Sequence, residues 1–350
     1  MFFKSGGDKL LTAVSHCLLF SHNICSRERR AVSIYITIKE TRLVKKTFEK
    51  NFGVDVMNYP QVKGRLEKNY PLKKLCTWRI GGIADTVFWP ESIQDLVQMV
   101  RWCKQKGEPV FFLGRGSNVL FPDAGLRGLV IVTTDLNKIL WQQQTVTVEA
   151  GYSLMLLARE AAARGLQGLE FACGIPGTVG AAVAINAGAY GSAIGDLVRQ
   201  LIVLTAETEI IALKQGDFSF GYRTSSLQQA GVLVLECTLE LNPGADSSGL
   251  KETMAKYMAK RRETQPLEYP NAGSVFRNPA GDSAGRLIEL AGWKGRRIGD
   301  AEVSEKHANF IINRGNATSE QVLRLITEIQ RDVQEKFGVR LEPEVRVISG

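Results

Sequence analysis

From residue 83 onward the apolar and polar positions fall into recognisable periods. IADTVFWP (83–90) is apolar at most positions and predicts a strand. Ser92 then stands as a helix cap, with Ile93, Leu96, Val97 and Val100 recurring on one helical face. PVFFL (109–113) and GLVIV (128–132) predict strands, and GRGSN between them predicts a loop. TVTVEA (145–150) alternates with period two, and a helix is predicted from Ser153 to Arg164, closed by Gly165. Strands are predicted near 197–205 and 231–241, bracketing a polar loop that contains GYRTSS. NPGADSSG (242–249) has turn composition and is the candidate linker. After it the pattern predicts a helix of about fifteen residues ending in KRR. HANFIIN (307–313) predicts a strand, Thr318 to Phe337 a long amphipathic helix, and GVRLEPEVRVI a closing strand. The mixture predicts an α+β protein in three parts: 57–134, 135–242 and 243–350.

One stretch does not fit either period. FACGIPGTVGAAVAINAGAYGSAIG (171–195) carries no charged residue, so it is long enough for a membrane span. Its composition argues against that, because each glycine costs a helix about 1 kcal/mol relative to alanine and an interior proline about 3. Six glycines and Pro176 punctuate it, with Asn186 in the middle. It reads as backbone shaped to approach a ligand.

Composition changes the picture in two places. The 350 residues carry a net charge of +8, which would suggest nucleic acid if it were spread over one surface. Residues 1–50, however, hold ten Lys/Arg against four Asp/Glu, so +6 of the +8 lies there. No nucleic-acid partner is expected. Residues 1–56 read as an extension outside the fold, either a targeting peptide or sequence upstream of a protein that begins at Met57. The six cysteines form no CxxC pair and there are only three histidines, so neither a disulfide framework nor a metal site is expected. A soluble, cytoplasmic monomer is expected, with no membrane partner.

The candidate chemistry lies in the loops. LGRGSNVLF (113–121) sets Gly114, Arg115, Gly116, Ser117 and Asn118 directly after an apolar strand, where successive backbone N–H groups can cradle a pyrophosphate. The pattern is neither GxGxxG entering a helix nor GxxxxGK[ST], which disfavours a Rossmann site and a P-loop. GIPGTVG offers a second cradle through Gly174, Ile175, Pro176, Gly177, Thr178 and Gly180, and WRIGG a third through Arg79, Gly81 and Gly82. Three such loops point to a large phosphate-bearing cofactor. Arg223 in GYRTSS supplies a fixed cation suited to a carboxylate or phosphate. Ser274 lies in the turn of NAGSVFRNP, with no histidine nearby to make it a hydrolase nucleophile. Taken singly, Arg223, Ser274 and Glu344 read equally well as a surface arginine, a turn serine and a solvated glutamate.

TWRIGG, GRGSNVLF, GIPGTVGAAVAINAGAYG, GYRTS, NAGSVFRNPAG, AGR…GWKG and LEPEVR together, in this order, resemble the UDP-N-acetylenolpyruvoylglucosamine reductases of peptidoglycan synthesis. The resemblance runs from about residue 65 to the C-terminus. It implies a two-lobed FAD-binding domain of the vanillyl-alcohol-oxidase type followed by a substrate domain, with noncovalent FAD, NADPH as reductant and a UDP-sugar substrate. It implies that Arg223, Ser274 and Glu344 are catalytic, Ser274 as the proton donor, and that Tyr222 and Asn278 contact substrate. Two departures stand out. Ala181 occupies a position that is commonly glycine, and the chain between Arg223 and Ser274 lacks the tyrosine-bearing insertion of the larger subclass. The resemblance further implies hydride addition to a vinyl ether, with charge spreading into a carboxylate beside Arg223 and a proton arriving from Ser274. A sugar- or alcohol-oxidising flavoenzyme and a non-catalytic nucleotide-sugar-binding module are the alternatives. A histidine-tethered flavin is not among them, since no histidine lies between His22 and His307.

Overall fold

The strand at 83–90 is the second member of a four-stranded sheet, ordered Gly64–Pro71, Ile83–Pro90, Leu126–Val132, Val110–Leu113. The first pair is antiparallel and the other two pairs are parallel. This computed structural model describes residues 59–244 and 246–348, so the expectation for residues 1–56 lies outside the described residues. The helix after Ser92 runs Ile93–Lys106. The Ser92 hydroxyl accepts the Asp95 N–H at 3.1 Å, and Gly107 closes the helix at φ 70°. Leu96, Val97, Met99 and Cys103 are its buried residues, with Ile93 and Val100 packed at the margin.

A second, five-stranded antiparallel sheet is ordered Ile210–Lys214, Val198–Leu204, Leu233–Glu240, Thr145–Glu149, Ile139–Gln142. Its two outer strands have no counterpart in the sequence pattern. Half-exposed edge strands bury one face at most and leave only a faint alternation. The helix Leu154–Ala163 lies on this sheet's apolar side, where Val146, Val148, Leu154 and Leu157 belong to one core.

Residues 171–195 form neither a span nor a long core helix. A 3-10 turn, Glu170–Gly174, leads through Pro176 into a helix of six residues, Val179–Ala184, capped by Thr178. Among the described residues no helix is long and apolar enough to cross a membrane.

Three expectations need correction. The proposed linker ends in a helix cap: Asp246 accepts the N–H groups of Ser248 and Gly249 and starts the helix Ser247–Thr264, which has 18 residues. HANFIIN is a strand only at Ile311–Asn313, because the Ser304 hydroxyl takes the N–H groups of Lys306 and His307 and turns the chain there. The closing strand is only Arg346–Val347, paired parallel to Val119–Leu120. The amphipathic helix is Ser319–Phe337, and Thr318 and Gln321 form its capping box. It buries Val322, Leu325, Ile326, Ile329 and Val333, each worth about 1.5–3 kcal/mol. That far exceeds any propensity difference along the segment.

The parts share their interiors. Trp78, Phe121 and Val130 of the first part lie in one core with Ile311, Leu325 and Ile329 of the last. The Trp78 indole donates to the Ile311 carbonyl at 2.9 Å, and the buried Asn313 amide donates back to the Trp78 carbonyl at 3.0 Å. Phe88, Leu96 and Met99 meet Leu204 and Leu235 in a further cluster that joins the two sheets.

Candidate active site

The C-terminal segment joins the site together. On one side Arg277 N–H donates to the Glu342 carbonyl at 2.9 Å, and Glu344 N–H donates to the Val275 carbonyl at 2.7 Å. On the other side Asn118 donates its side-chain amide to the Glu344 carbonyl at 3.2 Å, and Arg346 N–H donates to the Asn118 carbonyl at 3.2 Å. Glu344 is thus fixed between the first glycine loop and the serine-bearing segment. Buried Asn309 locks that segment from behind, accepting the Phe276 N–H at 2.9 Å and donating to the Phe276 carbonyl at 2.8 Å. Ser274 is therefore one residue from the Val275 carbonyl that holds Glu344. Its hydroxyl has no hydrogen-bond partner among the described residues.

Arg223 arrives from a separate element. It occupies the tip of the hairpin Phe220–Gly221/Thr224–Ser225 at φ 55°, a left-handed conformation that costs an L side chain about 1–2 kcal/mol. Two bonds hold the hairpin to the glycine-rich stretch. Asn186 donates to the Gly221 carbonyl at 2.9 Å, and the Ser225 hydroxyl donates to the Ala184 carbonyl at 2.5 Å. Asn186 also accepts the Gly195 N–H at 3.0 Å, so both ends of its amide are used.

Arg223 Nε lies 2.8 Å from Glu344 Oε1. The contact is an ion pair rather than an aligned hydrogen bond, since this buried Nε–H finds no properly oriented acceptor. Burial pushes the Glu344 carboxyl above its usual range, while Arg223 and then Arg277 pull it back down. Arg277 lines the same cleft, and its own Nε is buried with no acceptor. Arg277 sits inside the NAGSVFRNP motif, yet nothing in spacing or composition distinguished it from a surface cation.

The cleft has a volume of about 580 Å³ and is walled by both of the first two glycine loops. Gly114 to Asn118 line it on one side, and Ile175 to Thr178 with Gly180 and Ala181 on the other. The backbone N–H groups of Arg115, Gly116, Ser117, Gly177 and Thr178 have no acceptor among the described residues. Such unclaimed donors around a cavity suit a pyrophosphate. The loops also meet closely: the Ser117 hydroxyl donates to the Pro176 carbonyl at 2.5 Å, and a Cβ on Gly114 would lie 2.6 Å from the Thr178 hydroxyl. The residues fit FAD. The Ala181 methyl is exposed into this cleft.

The structure separates the other predicted contacts from the cleft. Arg79 and Gly81 line a second cavity with Lys73, Lys74 and Asn316, and Gly82 packs on Asp123, where an added Cβ would lie 2.2 Å from the carbonyl oxygen. Gly174 faces the helix Ser247–Thr264, where an added Cβ would lie 2.6 Å from Arg261 Cδ. The third loop thus packs on its own chain and lines that second cavity rather than the cleft. Asn278 uses its side-chain oxygen to accept the Ala284 N–H at 3.1 Å. Tyr222 is 60% exposed beside the Arg223 guanidinium, 5.5 Å from the ring centre.

The fold and its unclaimed amides define a flavin-binding protein, and residues 84–214 match the FAD-binding domain family. Residues 265–348 match the C-terminal domain of UDP-N-acetylenolpyruvoylglucosamine reductase. UDP-N-acetylenolpyruvoylglucosamine reductase 2 of Symbiobacterium thermophilum is 46% identical over 81% of this chain and 92% of the relative. The reductase of Caldanaerobacter subterraneus is 42% identical over 85% of this chain and 98% of the relative. The crystal structure of the Thermus caldophilus reductase superposes with a TM-score of 0.70 at 35% identity, covering 82% of this chain and all of that one. The chain belongs to the UDP-N-acetylenolpyruvoylglucosamine reductase family, and the α+β fold with an FAD-binding domain ahead of a substrate domain is the one expected from its motifs.

Proposed function

We propose that this chain is an FAD-containing, NADPH-dependent reductase. It converts the enolpyruvyl ether of UDP-N-acetylenolpyruvoylglucosamine to the lactyl ether of UDP-N-acetylmuramate, for peptidoglycan synthesis, as a cytoplasmic monomer. The observation that carries the reading is the half-buried Arg223–Glu344 pair in a cleft walled by two amide-rich loops, with Glu344 held by the carbonyl of Val275, the residue after Ser274. Gly114–Asn118 and Ile175–Thr178 would hold FAD, which when bound would supply hydride received from NADPH. The chain's own groups manage charge and proton. Arg223 faces the charge that collects on the substrate carboxylate as the double bond is reduced, an effect worth about 3–4 kcal/mol. Ser274, whose hydroxyl is unengaged by the protein, donates the proton to the carbon next to that carboxylate. Ionised Glu344 fixes the Arg223 guanidinium, and through the Val275 carbonyl it fixes the serine segment as well. Tyr222 and Asn278 flank the approach of the sugar nucleotide.

The purified protein should be yellow and should release flavin on denaturation. Under anaerobic conditions it should consume NADPH beyond one equivalent per flavin only when UDP-N-acetylenolpyruvoylglucosamine is added, with UDP-N-acetylmuramate as the product by mass spectrometry. Colourless protein, or NADPH consumption indifferent to that substrate, contradicts the reading.

A further inference from the structure

Arg277 is a cation with no partner of its own. It forms no ion pair among the described residues, and its Nε is buried without an acceptor. An N–H buried without an acceptor is costly, and a ligand oxygen would complete it. Arg277 lines the cleft together with Arg223 and Glu344, and Glu344 is the one carboxylate paired there. Arg115 and Arg346 line the cleft as well, so cations outnumber its one carboxylate, and Arg223 and Arg277 are the two of them whose Nε–H is buried without an acceptor.

Resting on the reductase reading above, we propose that Arg277 is a substrate-binding residue, and that Arg223 and Arg277 together hold the carboxylate of the enolpyruvyl group. A planar anion suits two guanidinium donors better than a point cation would, because each fork presents its N–H groups in a fixed plane. The arrangement also gives Glu344 a defined place. It offsets part of the positive charge when the cleft is empty and leaves an excess to meet an incoming carboxylate. Binding then discriminates the enolpyruvyl sugar from the same nucleotide sugar without its carboxylate, and Arg277 carries part of that discrimination.

The test is equilibrium binding to the oxidised holoenzyme by calorimetry, with UDP-N-acetylenolpyruvoylglucosamine and with UDP-N-acetylglucosamine, which lacks the carboxylate. Arg277→Gln should weaken binding of the first by about ten-fold or more, the scale of a lost charged hydrogen bond, and leave the second within about two-fold. Arg277→Lys should fall between, keeping the charge but losing the fork. The acid limb of the turnover profile should move to higher pH in Arg277→Gln and stay in place in Arg277→Lys, since Glu344 loses a neighbouring cation only in the first. If Arg277→Gln does not retain flavin, Arg277→Lys decides: a several-fold loss confined to the carboxylate-bearing ligand supports the role, and parental affinity for both ligands overturns it. Equal weakening of both ligands in either variant also overturns it, as would a merely structural arginine. The parent enzyme is the separate control. If it fails to prefer the enolpyruvyl sugar at all, the proposed reaction fails rather than the role of Arg277.

Discussion

Arg223 combines strain and burial at one position. Its φ of 55° is a cost that glycine would avoid, and its charge is partly withdrawn from water beside Glu344. Neither property was visible in the sequence. GYRTSS announced a turn with a cation in it, and only the folded chain shows which carboxylate the cation meets. Glu344 was likewise one acidic residue among 36 Asp and Glu until the family resemblance singled it out. Gly116 was legible as a glycine requirement but for the wrong reason. A Cβ there would lie 1.9 Å from the Leu75 carbonyl oxygen, so the close approach is to the protein's own chain. The Glu344 environment gives a pH prediction. Its folded pKa is raised above 4.5 by burial, so the native state holds its proton where the unfolded chain has released it. Its contribution to stability is therefore greatest below the unfolded value and is lost as pH rises through the raised one. Activity needs the ionised form to hold Arg223. Turnover should fall on acidification at a pH above the ordinary glutamate value. Glu344→Gln, besides being slow, should lack that limb in a pH–rate profile.

At the scale of elements, period and caps were the legible signals. Ser92 and Thr318 mark helix ends in sequence and in structure alike. The short pieces escaped, because a two-residue strand such as Arg346–Val347 is defined by its partner, Val119–Leu120, and has no period of its own. The site is assembled from such pieces. Asn186, in the middle of an uncharged stretch, ties the Arg223 hairpin down through one end of its amide and the Gly195 N–H through the other. Asn186→Ala should cost about 1–3 kcal/mol, the scale of leaving buried partners unsatisfied, measured by thermal or denaturant unfolding. Because the hairpin would be released at the same time, turnover should drop several-fold with the flavin still bound. Unchanged turnover would show that the hairpin holds its position without Asn186.

At the scale of the molecule, a reading of successive parts could not show that their cores merge. Trp78 packing with Ile311 and Ile329 spans more than two hundred positions, and no local pattern encodes it. The charge distribution is the whole-molecule feature the sequence did carry. Most of the excess lies in residues 1–50, ahead of the unit that begins at Tyr59. A chain started at Met57 should retain flavin and turn over at the parental rate, and a large loss of either would place that boundary wrongly.

The central claim is that the cleft delivers a proton from Ser274 in the second half of the cycle. Stopped-flow absorbance on Ser274→Ala measures it most directly, with bleaching of the bound flavin by NADPH and its recovery on adding UDP-N-acetylenolpyruvoylglucosamine followed in separate mixes. The first phase needs no proton donor and should stay close to the parent's. The second should slow by about 10²–10⁴-fold, the range of general acid catalysis. Recovery at the parental rate would remove Ser274 from the chemistry and leave it as a residue of the turn.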